Sequence, residues 1–273
     1  MHELVVYNGK ILKAGDANLP AASSAALYGR GVFTTLAIYN RQPFLLSEHS
    51  RRLRAHAAKI NLDLSEISGF EETLFDLIAA NKIETGRARI TLFEASGGSL
   101  WNFSSELKTS VLITTADRKE TINDLILNVS PLSVNSASPL AGVKSCNYLE
   151  NLLALEMAKA QGCTEAVRLN ERGETASACL ANLFWTKNGR IFTPRLETGA
   201  LAGTTRNLIF DLAKNLNLQI SETAAGIDAL RAADEIFLTS AGIEIRSAQK
   251  FNDKIYQNEI ARKLQKAFFD FIN

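Results

Sequence analysis

The chemistry that this sequence could carry begins at Lys144. It follows Ala141-Gly142-Val143 and precedes a helix that the pattern starts near Asn147. A lysine at a strand–helix junction can act as a Schiff-base nucleophile once its ammonium is partly desolvated. The competing reading is one more solvated lysine in a chain of 30 Lys and Arg. A second group is Leu201-Ala202-Gly203-Thr204-Thr205-Arg206, directly before an expected helix over 204–215. A glycine and two hydroxyl residues at a helix N-terminus offer N–H and O–H donors to a phosphate, or else a plain cap. Thr239-Ser240-Ala241-Gly242, after a strand at 235–239, adds a second small-polar cluster, and the two together suggest a phosphate cup. A third group is His49-Ser50-Arg51-Arg52-Leu53, in which Arg52 shares a helix face with His49. That arginine could meet a phosphate with paired donors. The plainer alternative is a solvated basic face with a neutral, packed His49.

The elements that must hold these groups follow from pattern. Asn8-Gly9 between two short apolar runs reads as a hairpin. Gly31–Tyr39 is a strand, and Ser47 is the expected N-cap of a helix over 48–60. A second helix covers 70–81, and strands are expected at 89–94 and 111–115, joined through Ser96-Gly97-Gly98-Ser99. The polar stretch 117–123 divides an N-terminal domain, 1–118, from a C-terminal one, 119–273, that carries Lys144. In the second domain a strand covers 125–132, and Leu149, Leu152, Leu153 and Met157 form one helical stripe. Strands at 165–169, 174–177, 182–186, 190–193, 218–222 and 235–239 alternate with helices at 204–215, 227–231 and 256–271. The fold class is mixed α and β in two domains.

Composition narrows the function. A length of 273 residues with 46% hydrophobic content supports full cores and excludes wholesale disorder. A net charge of +1 leaves no electrostatic footprint for nucleic acid. No apolar run reaches the ~18–20 residues that span a bilayer. The N-terminal residues lack the features of a signal peptide. Three cysteines, at 146, 163 and 179, make neither a disulfide framework nor a zinc site. These features predict a cytoplasmic protein acting on a small molecule, with no metal.

The ordered set of motifs resembles the fold-type-IV pyridoxal-phosphate family. That family includes branched-chain and D-amino-acid aminotransferases and 4-amino-4-deoxychorismate lyase. The resemblance runs over nearly the whole chain: Asn8-Gly9-Lys10; Tyr28 to Phe33; His49-x-x-Arg52-Leu53; Lys144 to Leu149; Glu165 to Asn170; Asn182-Leu183-Phe184; Thr193-Pro194; and Leu201-x-Gly203-x-Thr205-Arg206. It implies a D-amino-acid-aminotransferase-like fold of two α/β domains with the cofactor between them, working as a homodimer. It implies that Lys144 bonds pyridoxal 5′-phosphate and moves the α-proton. Arg52, Thr204, Thr205 and Ser240 would hold the phosphate, and Tyr148 would lie near the ring.

The sequence departs from that pattern at instructive places. The glutamate that such enzymes set against the pyridine nitrogen is here Ser177, and Glu174 falls on the opposite strand face. A serine can hydrogen-bond the ring nitrogen without keeping it protonated. That weakens transamination more than elimination of a leaving group. Arg30 stands where an aspartate is usual, Glu94-Ala95 replaces Arg-Gly, and Ser99 occupies a common substrate-arginine position. Phe33-Thr34-Thr35, Ser96-Gly97-Gly98 and Ala181 to Lys187 resemble the lyase branch, with Thr34 or Thr35 near the cofactor. The expected activity is therefore deoxychorismate lyase, for folate synthesis. A class IV aminotransferase and a non-catalytic homologue are the alternatives.

Overall fold

A computed structural model of the chain describes residues 1–96, 108–118 and 125–272. The chain divides into two units: Met1–Glu120 with Val143–Tyr148, and Thr121–Gly142 with Leu149–Asn273. The segment around Lys144, expected with residues 119–273, thus packs with the first unit.

The first unit contains β1 (Leu4–Tyr7), β2 (Lys10–Lys13), α1 (Ser24–Tyr28), β3 (Gly31–Tyr39), β4 (Gln42–Pro43), α2 (Leu46–Lys59), α3 (Phe70–Ala80), β5 (Gly86–Glu94) and β6 (Thr109–Asp117). The strands form one antiparallel sheet in the order β2-β1-β6-β5-β3-β4. Asn8 and Gly9 both take positive φ, 48° and 78°, the backbone that a two-residue hairpin requires. Helices α2 and α3 bury Leu53, Ala57, Leu74 and Leu77 against Val32, Leu36, Ile90 and Leu92 of the sheet. The start of α2 differs from expectation. Leu45, at φ 54°, is the N-cap, and Ser47 lies inside the first turn with its hydroxyl on Glu48. The tight entry from β4 forces that left-handed residue, and the turn wins over capping chemistry.

The second unit contains β7 (Leu125–Val129), α4 (Leu149–Ala160), β8 (Glu165–Leu169), β9 (Thr175–Ala178), β10 (Asn182–Lys187), β11 (Arg190–Pro194), α5 (Thr204–Asn215), β12 (Ile220–Thr223), α6 (Ile227–Arg231), β13 (Glu235–Ser240), β14 (Glu244–Phe251), β15 (Lys254–Ile255) and α7 (Glu259–Ile272). Its sheet runs β12-β11-β10-β13-β14-β7-β8-β9, with β15 paired to β14. The ladders are of mixed direction: β11–β12, β14–β7 and β7–β8 are parallel. Phe184 and Phe237 stack at 4.9 Å across β10 and β13. Buried Glu235 accepts from the Ile260 and Ala261 N–H groups and so caps α7.

Helix α4 carries the expected stripe on its outer face. Its buried residues are Ala154 and Ala158. The leucine stripe faces outward, with Leu149 at 62% and Leu152 at 45% exposed. Among the described residues, no helix is long and apolar enough to cross a membrane. Among them also, no cluster of His, Cys, Asp or Glu could hold a metal ion.

Candidate active site

The site in the first unit is built on the edge of β3. Strand β4 covers only Ile38 and Tyr39 of that edge, which leaves Gly31–Phe33 open to another partner. The segment around Lys144 takes this place. Phe33 N–H donates to the Lys144 carbonyl at 2.9 Å, and Cys146 N–H donates to the Gly31 carbonyl at 2.8 Å. Residue 31 must be glycine here. A Cβ would meet the Leu92 carbonyl at 2.9 Å on one side and the Cys146 sulfur at 3.1 Å on another.

From that anchored backbone, the Lys144 amine reaches a small aromatic basin. Its Nζ lies 4.4 Å from the Phe33 ring centroid and 4.9 Å from that of Tyr148. It donates to the Tyr148 hydroxyl at 3.4 Å. The two rings meet edge to face at 5.3 Å. Arg89 on β5 stacks over Phe33 at 3.7 Å, so one ring faces two cations. Burial, helped by Arg52 and Arg89, pulls the Lys144 pKa down to about 7. An amine that is substantially neutral near pH 7 can attack a carbonyl, which an ordinary lysine seldom can.

Helix α2 supplies the second layer. His49, Arg52 and His56 sit at offsets of 0, 3 and 7, on one face. Arg52 donates to the Thr34 hydroxyl at 2.9 Å, and Thr34 lies 2.6 Å from His49 Nδ1. The Thr34 hydroxyl thus accepts from Arg52 and shares a second, buried hydrogen bond with the His49 ring. Burial first, then Arg52 and Lys144, lower His49 to about 3. Burial lowers even Arg52, to about 10.

These residues fit pyridoxal phosphate. Each neighbouring charge that depresses Lys144 is a cation, brought close with little water. A phosphate carrying about two negative charges would relieve that repulsion. The free amine supplies the nucleophile for the aldehyde. The two aromatic rings offer apolar walls for a flat heterocycle.

In the second unit, Thr204 and Thr205 open α5 and are buried. The backbone N–H groups of that first turn have no acceptor within the helix, so they and the hydroxyls form a donor set. The loop before it is locked. Asn182 on β10 donates to the Leu201 carbonyl at 2.7 Å, and a Cβ on Gly203 would lie 2.0 Å from the Asn182 amide oxygen. Arg206, read as part of the same motif, is structural: it donates to the Pro194 carbonyl at 3.1 Å and pairs with Glu222. Ser240 ends β13, and its oxygen accepts from Gly242 and Ile243 N–H.

Two candidates, Thr34 and Arg30, are engaged within the protein itself. Thr34 has no exposed surface and serves Arg52 and His49, so it offers nothing to a substrate. Arg30 donates to the Asn61 carbonyl beyond the end of α2 at 3.3 Å. Glu174 is held by Arg172 at 2.7 Å and Asn170 at 2.8 Å, within its own turn. Ser177 is half-buried on β9 and pairs in register with Arg168. Ser99 lies outside the described residues. Sequence reading missed Arg89 and His56. Arg89 lies opposite Thr35 in register, a pairing visible only once the sheet is assembled.

Comparison with known proteins gives the family. Residues 31–251 match the profile of the family described as amino-transferase class IV. The aminodeoxychorismate lyase of Bacillus subtilis is 31% identical over 262 residues, covering 94% of this chain and 89% of that protein. The branched-chain-amino-acid aminotransferase of Escherichia coli K12 is 27% identical, covering 98% and 92%. A crystal structure of the Escherichia coli branched-chain amino acid aminotransferase superposes with a TM-score of 0.92. It is 25% identical and covers all of this chain and 95% of that one.

Proposed function

The chain belongs to the class IV aminotransferase family and is a pyridoxal-phosphate-dependent enzyme; from that premise we propose that it is a 4-amino-4-deoxychorismate lyase, eliminating pyruvate from its substrate to leave 4-aminobenzoate. The observation that carries this reading is the 31% identity with the Bacillus subtilis lyase across 94% of the chain. Ser177 supports it from the chemistry. An elimination driven by a good leaving group and by formation of an aromatic ring depends less on a protonated pyridine nitrogen than transamination does.

The cofactor supplies an electron sink for the carbon next to the substrate nitrogen. The chain supplies the rest. Lys144, with its pKa near 7, takes the proton from that carbon as a general base. Tyr148, 3.4 Å from the amine, orients it. Arg52, pinned by Thr34, holds the phosphate, and Thr204, Thr205 and Ser240 are assigned as further phosphate donors. Ser177 is assigned to the ring nitrogen. Arg89, the exposed cation of the basin, suits a carboxylated substrate.

The second reading is a branched-chain or D-amino-acid aminotransferase, favoured by the 27% identity with the Escherichia coli enzyme. The test is aminodeoxychorismate supplied with no 2-oxoacid. Release of pyruvate and 4-aminobenzoate in equal amounts is the expected result. Turnover of amino acids only when a 2-oxoacid is added would move the assignment to the aminotransferase. We further assign a homodimer, supported by the outward leucine stripe of α4. The three free cysteines are in keeping with the cytoplasm.

A further inference from the structure

The backbone of Lys144 is held on both sides of its Cα. Its carbonyl accepts from Phe33 N–H on β3, at 2.9 Å. Its N–H donates to Nδ1 of His56 on α2, at 3.1 Å. We propose that His56 is a positioning residue for Lys144, fixing the backbone from which the reactive amine is launched. The proposal rests on the cofactor reading of Lys144.

The chemistry of imidazole suits this task. To accept at Nδ1, the ring must be neutral with its proton on Nε2. His56 is only 6% exposed. Burial first, and then Arg52, Lys59 and Lys144, lower its pKa to about 4. The acceptor therefore persists throughout the range in which the Lys144 amine becomes neutral. Leu53 and Ala57, beside His56 on the same helix face, are buried in the core of the first unit. The ring is thus carried by a packed helix. A side chain of four methylenes amplifies any tilt at its root, and an ångström of misplacement at a reacting atom costs about a hundredfold in rate.

The test uses the full chain and pyridoxal 5′-phosphate itself. The rate at which a borohydride-stable adduct appears on the Lys144 peptide is read by mass, beside the thermal midpoint of each variant. His56→Leu removes the acceptor while filling the space. His56→Asn keeps an acceptor oxygen near the place of Nδ1. The expected result is an adduct rate at least about tenfold lower in His56→Leu, and restored to within about threefold of the original chain in His56→Asn. A His56→Leu rate equal to that of the original chain overturns the proposal. So does a His56→Asn rate as slow as that of His56→Leu. Should His56→Leu not fold, His56→Ala against His56→Asn makes the same comparison. An original chain that forms no Lys144 adduct overturns the cofactor reading itself, a result distinct from the others.

Discussion

Arg89 sits on the Lys144 basin as an exposed cation 3.7 Å above the Phe33 ring, and after burial and Arg52 it is the third influence that lowers the lysine's pKa. A nearby positive charge disfavours a second one, so removing it favours the ammonium. Arg89→Gln should therefore raise the Lys144 pKa from about 7 towards its ordinary value of 10.5. The pH at which pyridoxal phosphate condenses with the chain should move in the alkaline direction, read by the rate of adduct formation across pH 6 to pH 10. An unmoved profile would show that burial and Arg52 depress the amine without Arg89. Legibility at this scale was uneven. Lys144, Arg52 and Tyr148 stand in motifs that the sequence displays, and the structure brings them together. Arg89 and His56 could not be found that way, because neither stands in a motif. Arg89 comes into place through its register opposite Thr35, and His56 through a bond across 88 positions.

The elements were legible where one local rule governed them. α5 and α6 fall at 204–215 and 227–231 as their periodicity predicts. β14 was missed, although it is an interior strand. Its inward residues, Ile245, Ala248 and Phe251, each 1% exposed, are three apart rather than two. A register shift at Ala248–Lys250 breaks the alternation by which a strand is recognised. The loop before α5 makes a sharper statement. Asn182 and Gly203 fill one space between them, and the Asn182 amide is held in place by the Leu201 carbonyl. Gly203→Ala should cost about 2–4 kcal/mol, through overpacking and the loss of that buried bond. The measurement is the denaturation midpoint. Weaker phosphate binding should accompany the loss, because the donors of Thr204 and Thr205 follow directly.

At the scale of the whole molecule, the leucine stripe of α4 is the feature that a single chain leaves unexplained. Leu149, Leu152, Leu153 and Met157 are each at least 40% exposed on one helix. The sequence pattern predicts the stripe and leaves open what it packs on, because periodicity reports that a face is apolar and not what covers it. Leu152→Glu should leave folding unchanged and shift the sedimentation coefficient towards that of one chain. If the size of the native protein is already that of one chain, the stripe has another partner. The division into units carries a further meaning for synthesis. The chain leaves the first unit at residue 120 and returns to it for only six residues, Val143–Tyr148, before completing the second. A ribosome thus releases the sheet, α2 and α3 with an open edge on β3, and the strip that carries the amine arrives some twenty residues later. A gene cut at the boundary between the two halves would yield a first half without its nucleophile. The reactive amine is the last part of the first unit to be made.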